Sequence, residues 1–563
     1  MPSHSRLAIF ARVVLLPLAL ILLTLAGLGS YYEASDDTTL AWLFSGVLSL
    51  KPITSVPLYF HGYGHLLAAA YTAAPGVPWL GLLLSTLLAG ATILAFAVLD
   101  NLLRPHLRPP ALVLALVVFF GVAWVEHWLW FSYVRVALLL AGVAVLYAAQ
   151  RPGHRGALLL GLAGLGAAWL LRPSQAALGL GAVLPAVLLL AGGGRRALPV
   201  VAGAAFILAF ATGAAALLRT PEQAHAQVRD GYFARVLDFD QLRPQPRTAA
   251  DSLGTDAVNL WLMGDSTVVN EAMCRRAYHF DAPDFFRQVV PAKLVLRAQL
   301  LVRDYFPLLL ALLAAAVGVA RRGRPGWFWL VQFGFVGVFV FLAGVLKLPA
   351  RIELPLLDFW LLTNLAFLFQ AAGFSVAAAG AKPLVMSRPA VSPLIRRLSV
   401  VATVLVLLLY GAKTWHRHQV LSQERRHHEL ALQAITRLEA GRLRILGGTN
   451  DLLKSLSPFR NYSAGPGPVL LLTGWSSHDA SQGPLRYALS GHADQTDCLR
   501  RLVTSAPAIA PLWVLTPESA HWLSRRFRFG GAPRLLLSAQ ASDPVIYADA
   551  ALFVYRVQPY PGP

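Results

Sequence analysis

An all-α polytopic membrane protein carrying a small α/β domain at its C-terminal end is the architecture this chain predicts, and three observations predict it. Of its 563 residues 56% are hydrophobic and only 13% charged, with a mean hydropathy of +0.57; this overrides the several soluble domains that length alone implies. Apolar runs of about 20 residues, long enough to cross a bilayer as a helix, recur as far as residue 415. Beyond residue 446 the pattern changes to short apolar runs between turns, among them Val469-Leu470-Leu471-Leu472 and Leu512-Trp513-Val514-Leu515, with helical patterns between them.

The apolar windows predict about eleven spans, near 7–29, 77–99, 110–126, 130–150, 157–172, 174–192, 197–218, 305–320, 327–346, 356–378 and 397–415. The first has Arg6 and Arg12 towards its N-terminal end, as a signal peptide does. It is long enough to span, no clear A-x-A site follows it and many spans come after, so it reads as an anchor. The basic residues set the orientation. One set of alternate connections holds Arg6, then Arg104 and Arg108, Arg151 and Arg155, Arg195 and Arg196, Arg321, Arg322 and Arg324, and finally Lys382, Arg388, Arg396 and Arg397, almost without acids. The other set holds the Glu33–Asp37 acids, Glu126-His127, Arg172-Pro173, the long segment 219–304, the turn from Lys347 to Asp358 and the C-terminal tail. The expectation is therefore a multi-pass protein of the cytoplasmic (inner) membrane with its N-terminus in the cytoplasm and its C-terminus outside.

A net charge of +20 would raise nucleic acid as a partner of a soluble chain; here the Arg lies in short loops, where it orients the protein, and no nucleic-acid partner is expected. The two cysteines, Cys274 and Cys498, lack C-x-x-C spacing and could pair only if distant loops meet.

The layout divides into a transmembrane domain, 1–415, with outer loops 30–76 and 219–304; a charged linker helix, 416–446; and a soluble α/β domain, 447–563. The first outer loop opens on Tyr31-Tyr32-Glu33-Ala34-Ser35-Asp36-Asp37, three carboxylates directly after an apolar run. Asp37 suits the N-cap of an amphipathic helix from Thr38 to about Leu50, with Trp42 and Phe44 on its apolar side. Asp36 or Asp37 could equally be a catalytic base, or a ligand for a divalent cation such as Mg or Mn, at the edge of the membrane.

No Gly-rich phosphate loop, H-E-x-x-H helix or nucleophile elbow is present. What remains are polar residues at the outer ends of spans: Arg135, Arg172, Lys347 and Arg351. Each alone is explained by snorkelling to head groups. Together they contradict the usual scarcity of Lys and Arg in short outer turns, and opposite an acid cluster they could form a pocket for a lipid-linked phosphate or diphosphate. His61 and His65, spaced i, i+4, could orient a phosphate, bind a metal with Asp36 or Asp37, or serve as interfacial aromatics. Glu126, between Trp124 and Trp128, is either a further acidic site or the polar rim of an aromatic belt.

The order of these parts resembles the GT-C superfamily of integral membrane glycosyltransferases, on the acid cluster Glu33-Ala34-Ser35-Asp36-Asp37 after span 1, the interfacial helix behind it, the many spans, and the outer C-terminal domain. Arg351-Ile352-Glu353-Leu354-Pro355 looks like the Arg-and-Pro element before a late span in several such enzymes. The resemblance covers the layout of residues 1–415 and implies sugar transfer from a polyprenyl-phosphate donor to a glycan, lipid or protein acceptor on the outer face. It implies Asp36 or Asp37 as the base, or as the group positioning acceptor and a divalent ion, and Arg172 and Arg351 as holders of the donor phosphate. Two other classes compete: a lipid-linked glycan transporter or flippase, which the near absence of charge in mid-span opposes, and a non-catalytic membrane scaffold. Asp36, Asp37, Arg172 and Arg351 lining one cavity would favour the enzyme; acids pointing separately into solvent would favour the scaffold.

Overall fold

The structure, a computed structural model, describes residues 6–56, 62–322, 326–370, 393–439, 441–463, 465–504, 510–529, 535–539, 545–547 and 550–559. Among them eight helices are long and apolar enough to cross a membrane: Arg6–Gly27, Trp79–Leu103, Pro109–Leu129, Pro173–Leu190, Gly194–Leu217, Ala282–Arg321, Trp327–Gly344 and Ala350–Phe369. The chain is a mostly helical, multi-pass membrane protein. The other three expected spans take a different form. Tyr133–Ala149 and Arg155–Leu171 are apolar but shorter, and 397–415 is the opening part of one long helix, Pro393–Arg437. The end of the expected 356–378 span lies outside the described residues.

Tyr133–Ala149 is the axis of the bundle, buried along its length except at Tyr147, as expected of a helix that is apolar all round. Small residues let neighbours approach it closely. A Cβ on Gly161 would stand 2.7 Å from the Ala144 carbonyl oxygen, and one on Gly142 would stand 2.2 Å from the Phe359 ring. Farther out, Gly194–Leu217 presents Phe206 and Phe210 to the surroundings, the pattern of a lipid-facing helix. The one charge inside the first span, Arg12, is buried against Asp100 at 2.6 Å.

Two short pairings join distant loops. Strand β1 (Tyr31–Tyr32) runs parallel to β2 (Trp130–Phe131), and β3 (Arg243–Pro244) runs antiparallel to β4 (Tyr278–His279). The C-terminal part forms a six-stranded mixed sheet of β5 (Arg444–Gly447), β6 (Val469–Leu471), β7 (Leu512–Leu515), β8 (Leu535–Ala539), β9 (Val545–Tyr547) and β10 (Ala550–Pro559). The order is β6-β5-β7-β10-β8, with β9 on β10; β6, β5 and β7 are parallel and β10 is antiparallel to its partners. The linker helix expected to reach 446 ends at Arg437, and the boundary expected at 447 falls inside β5. Gly441, at φ +84°, turns the chain, and Arg444-Ile445-Leu446 then gains partners on both sides, Val469–Leu471 and Leu512–Val514.

Alternation along the strands gives the sheet two apolar faces. Ile445, Leu470 and Trp513 share a core with Phe233, Leu253, Val258 and Met273 of the middle segment, in which Cys274 and Cys498 are buried free thiols. Leu446, Leu471 and Val514 face the other way, in the core that includes Leu432 and Ile435 of the long helix. The segment after β5 is stitched to the first outer loop. Tyr32 N–H donates to the Leu456 carbonyl at 2.8 Å, Ser455 N–H to the Tyr32 carbonyl at 3.0 Å, Thr38 Oγ1 to Leu453 at 2.8 Å and Trp42 Nε1 to Tyr462 at 2.9 Å.

Candidate functional site

A cavity of about 720 Å³ lies where one end of the spans, the middle segment and the sheet meet. Its membrane-side wall includes Asp36, Arg172, Gln175, Lys347 and Arg351; the middle segment adds Asp230, Phe233, Asp238 and Trp261; the loops after β5 and β6 add Asn450, Asp451, Thr473, Trp475 and His478. The carboxyl ends of parallel strands thus face the cavity, the usual place for a ligand in an α/β sheet.

The helix carrying the acids runs Ser35–Ser45, begins after an extended Ala34 that makes no side-chain cap, and stops at Gly46 with φ +84°. The expectation of a helix from Thr38 to about Leu50 capped by Asp37 is corrected accordingly. Because both acids lie in the first turn, they project about 100° apart around the axis. Asp36 lines the cavity, with Oδ1 accepting from Trp475 Nε1 at 3.0 Å and Oδ2 standing 3.7 Å from the Arg351 guanidinium. Asp37 turns inward, fully buried, and its Oδ1 accepts the backbone N–H of Tyr133 at 2.8 Å. That N–H belongs to the first residue of Tyr133–Ala149 and has no partner within the helix. Asp37 therefore satisfies the end of a different helix and does not line the cavity.

Burial pushes the Asp37 carboxyl up to about 8, against the pull of the Tyr133 bond, and its Oδ2 has no hydrogen-bond partner. In the unfolded chain the proton leaves near the ordinary value of about 3.9. Between that value and about 8 the folded state holds the extra proton, so stability falls as pH rises through this window and the loss is complete above it. Asp37→Asn keeps an acceptor for Tyr133 and never ionises. Its apparent Tm relative to wild type is expected to climb from pH 5 to pH 9 in detergent melts; parallel profiles would refute the buried proton.

Pro173 forces the residue before it out of the helical region. Arg172 accordingly sits at φ −158°, ψ 105° between Arg155–Leu171 and Pro173–Leu190, and its guanidinium donates to the Tyr133 hydroxyl. Arg351, just inside Ala350–Gln370, donates its backbone N–H to Glu33 Oε1 at 3.0 Å. Lys347 pairs with Asp238 at 2.6 Å.

The other expected site residues lie elsewhere. Arg135 is buried behind the cavity, 2.7 Å from Glu33 Oε2 and 3.2 Å from His127 Nδ1; it holds the carboxylate that holds Arg351. Glu126 is no second acidic site at the cavity. It is buried with Lys413, Arg417 and the Tyr410 hydroxyl, an ion cluster fastening the long helix to the bundle. His65 is exposed in the first turn of Gly64–Ala73; His61, and with it the expected pairing of the two histidines, lies outside the described residues.

A divalent ion does not fit at Asp36 or Asp37. Asp36 is faced by an N–H and a guanidinium, Asp37 by a backbone N–H, and among the described residues no three His, Cys, Asp or Glu side chains converge as ligands.

Asp230, Trp261, Trp475 and His478 are among the cavity residues that carried no signal in the sequence. Each belongs to a segment without a motif and meets the membrane half only through the fold. Trp261 is the most constrained, a tryptophan held at φ +59° with its carbonyl accepting from Gly474 N–H at 2.9 Å. Such strain in a large side chain persists where the surroundings impose it, and it clusters at ligand sites. Comparison of the chain with models of known protein families, with curated proteins and with solved structures finds no match in any of the three.

Proposed function

We propose that the protein is a membrane glycosyltransferase that moves a sugar from a polyprenyl-phosphate donor to a glycan, lipid or protein acceptor of the cell envelope. The observation that carries the reading is the gathering of Arg172, Lys347 and Arg351 around Asp36 in one cavity. Sugar transfer from phosphate needs the leaving phosphate's charge stabilised and the acceptor hydroxyl held in line with the anomeric carbon. Three cations from two different turns supply the first requirement, as charge-assisted donors. Asp36, bridged between Arg351 and Trp475, orients both the cation and the acceptor. In the orientation that the Arg-rich loops predict, the cavity lies on the outer face with the C-terminal sheet above it, in keeping with eleven spans and a small outer α/β domain. The scaffold is disfavoured because Asp36 turns into a shared cavity and not separately into solvent.

The test is binding of undecaprenyl monophosphate, with undecaprenol as the probe lacking phosphate, to the full-length protein in nanodiscs. Wild type is expected to prefer the phosphate. Arg172→Gln and Lys347→Gln should each weaken that preference by about tenfold or more, the worth of a charge-assisted hydrogen bond. Equal binding of the two probes, or variants indistinguishable from wild type, would remove the phosphate pocket. Phosphate binding without label transfer to any envelope acceptor would favour a flippase.

A further inference from the structure

The cavity has two unlike walls. Among the described residues, every Lys and Arg that lines it, Arg172, Lys347 and Arg351, belongs to the turns at the ends of the spans, and none comes from the middle segment or from the loops after β5 and β6. That second wall carries Trp261 and Trp475 beside Asn450 and Asp451.

Trp261 lies in the turn after helix Ala249–Asn259. Part of it packs against the core that contains Phe233 and Leu253, yet it stays half-buried, whereas Trp42, Trp124, Trp128, Trp513 and Trp522 are fully enclosed. Its indole N–H makes no hydrogen bond among the described residues and is not one of the buried polar atoms, so it is open. A tryptophan that serves a core alone encloses its ring and pairs its N–H. This one does neither, on a backbone at φ +59°, a conformation that costs free energy in residues other than glycine.

The polar groups beside it are also unspent. Asn450 stands before the short turn Asp451–Leu453, where an Asn side chain commonly caps a backbone N–H, and makes no such bond. Asp36, Asp238 and Asp230, the other carboxylates of the cavity, face Arg351, Lys347 and His478 respectively. Asp451 is exposed, and its side chain makes neither hydrogen bond nor ion pair among the described residues. The wall therefore offers an aromatic face, an indole donor, an amide that donates and accepts, and a carboxylate that accepts. A lipid tail would leave these groups unpaired, and an anion would meet Asp451 with no cation on that wall. A sugar ring matches them, with an apolar C–H face to lay on an indole and hydroxyls around its rim that both donate and accept.

The wall is also fixed next to the cations. The Trp261 carbonyl accepts from Gly474 N–H at 2.9 Å, and the following residue, Trp475, donates Nε1 to Asp36 at 3.0 Å. Asp36 in turn stands 3.7 Å from the Arg351 guanidinium, so a ring laid on the tryptophan wall borders the cation cluster.

We propose that this wall is a binding site for a neutral oligosaccharide, with a sugar ring against Trp261 and hydroxyls bonded to Asn450 and Asp451. The role of the site rests on the transferase reading above: the oligosaccharide bound there is the acceptor, which narrows the acceptor to a glycan.

The experiment measures binding of radiolabelled neutral tetrasaccharides of glucose, mannose, galactose and arabinose to the full-length protein in nanodiscs. Undecaprenyl monophosphate, undecaprenol and a capped tetraserine peptide, uncharged and rich in hydroxyls, are measured beside them. At least one tetrasaccharide should bind wild type more tightly than the peptide does. Trp261→Gly removes the indole and accepts φ +59° without strain; it should weaken that binding by about tenfold or more, the worth of an aromatic face and its area. Asp451→Asn, at an exposed position, should weaken it by about fivefold, the difference between a charge-assisted and a neutral hydrogen bond. Both variants should bind undecaprenyl monophosphate within about threefold of wild type, as sites without shared partners do. A peptide bound as tightly as every tetrasaccharide, or tetrasaccharide binding unchanged in both variants, would overturn the glycan site; a retained preference for undecaprenyl monophosphate over undecaprenol would then leave the transferase standing with another acceptor. Tetrasaccharide binding lost in the variants, without any preference of wild type for the phosphate, would keep the glycan site and overturn the transferase. Should Trp261→Gly not accumulate as folded protein, Asp451→Asn decides, and unchanged tetrasaccharide binding in it refutes the proposal.

Discussion

On the transferase reading, Asp36→Asn is expected to lower sugar transfer by about 100-fold while Asp37→Asn leaves it close to the wild-type rate, at equal amounts of folded protein. Neighbours in sequence, the two acids differ in what they face. Asn at position 36 still accepts from Trp475 Nε1 but removes the charge standing 3.7 Å from Arg351. Arg351 then loses the counter-ion that aims it across the cavity, and misplacing a group that positions substrate costs on the order of 100-fold. Asn at position 37 preserves the one bond this side chain makes to the backbone, from Tyr133, and resembles the protonated carboxyl that burial imposes. The measurement is sugar incorporation into the host's surface glycan or a lipid-linked product, beside the amount of folded protein. Full activity in both single variants and in the double variant would remove the acid cluster from the mechanism.

Glu126→Gln is expected to cause the largest loss of stability. The Glu126 side chain is 1% exposed and compensates two cations, Lys413 and Arg417. Breaking a buried ion cluster by removing one member leaves uncompensated charge and costs about 3–5 kcal/mol, more than the cluster adds when intact. The weakness should appear where the long helix meets the bundle, as a lowered apparent Tm and earlier proteolysis near residue 415. Replacing charge on both sides, Glu126→Leu with Lys413→Leu, should recover much of the loss, because Arg417 keeps Asp304 at 3.4 Å. A single variant melting with the wild type would show that the cluster contributes nothing to holding the helix.

Much of the architecture was legible because lipid leaves the chain little choice. A backbone in hydrocarbon must satisfy its own hydrogen bonds, so an apolar run of sufficient length declares a helix. Pro173 and Pro349 likewise mark where helices end or begin, which is why Arg172 and Arg351 stood out as residues at span ends. The acid pair was legible only as a pair. Which member faces the cavity depended on a helix that begins at Ser35 and so aims Asp36 and Asp37 about 100° apart. Glu126 read as a rim residue or a second acid because its counter-ions, Lys413 and Arg417, lie nearly three hundred residues away.

From the sequence alone came the membrane class, the register of most spans, and Arg172, Lys347, Arg351 and Asp36 as candidates, since each follows from local composition and from the cost of placing charge beside lipid. The tertiary structure decided everything that depends on contact between distant segments. It put Asp37 against Tyr133, Arg135 behind Glu33, and brought Trp475 and His478 from beyond β6 to the cavity that Asp36, Arg172 and Arg351 line. The physical reason is that hydropathy acts residue by residue, whereas a site is a set of pairings, and no short-range pattern specifies which buried donor will meet which acceptor hundreds of residues away.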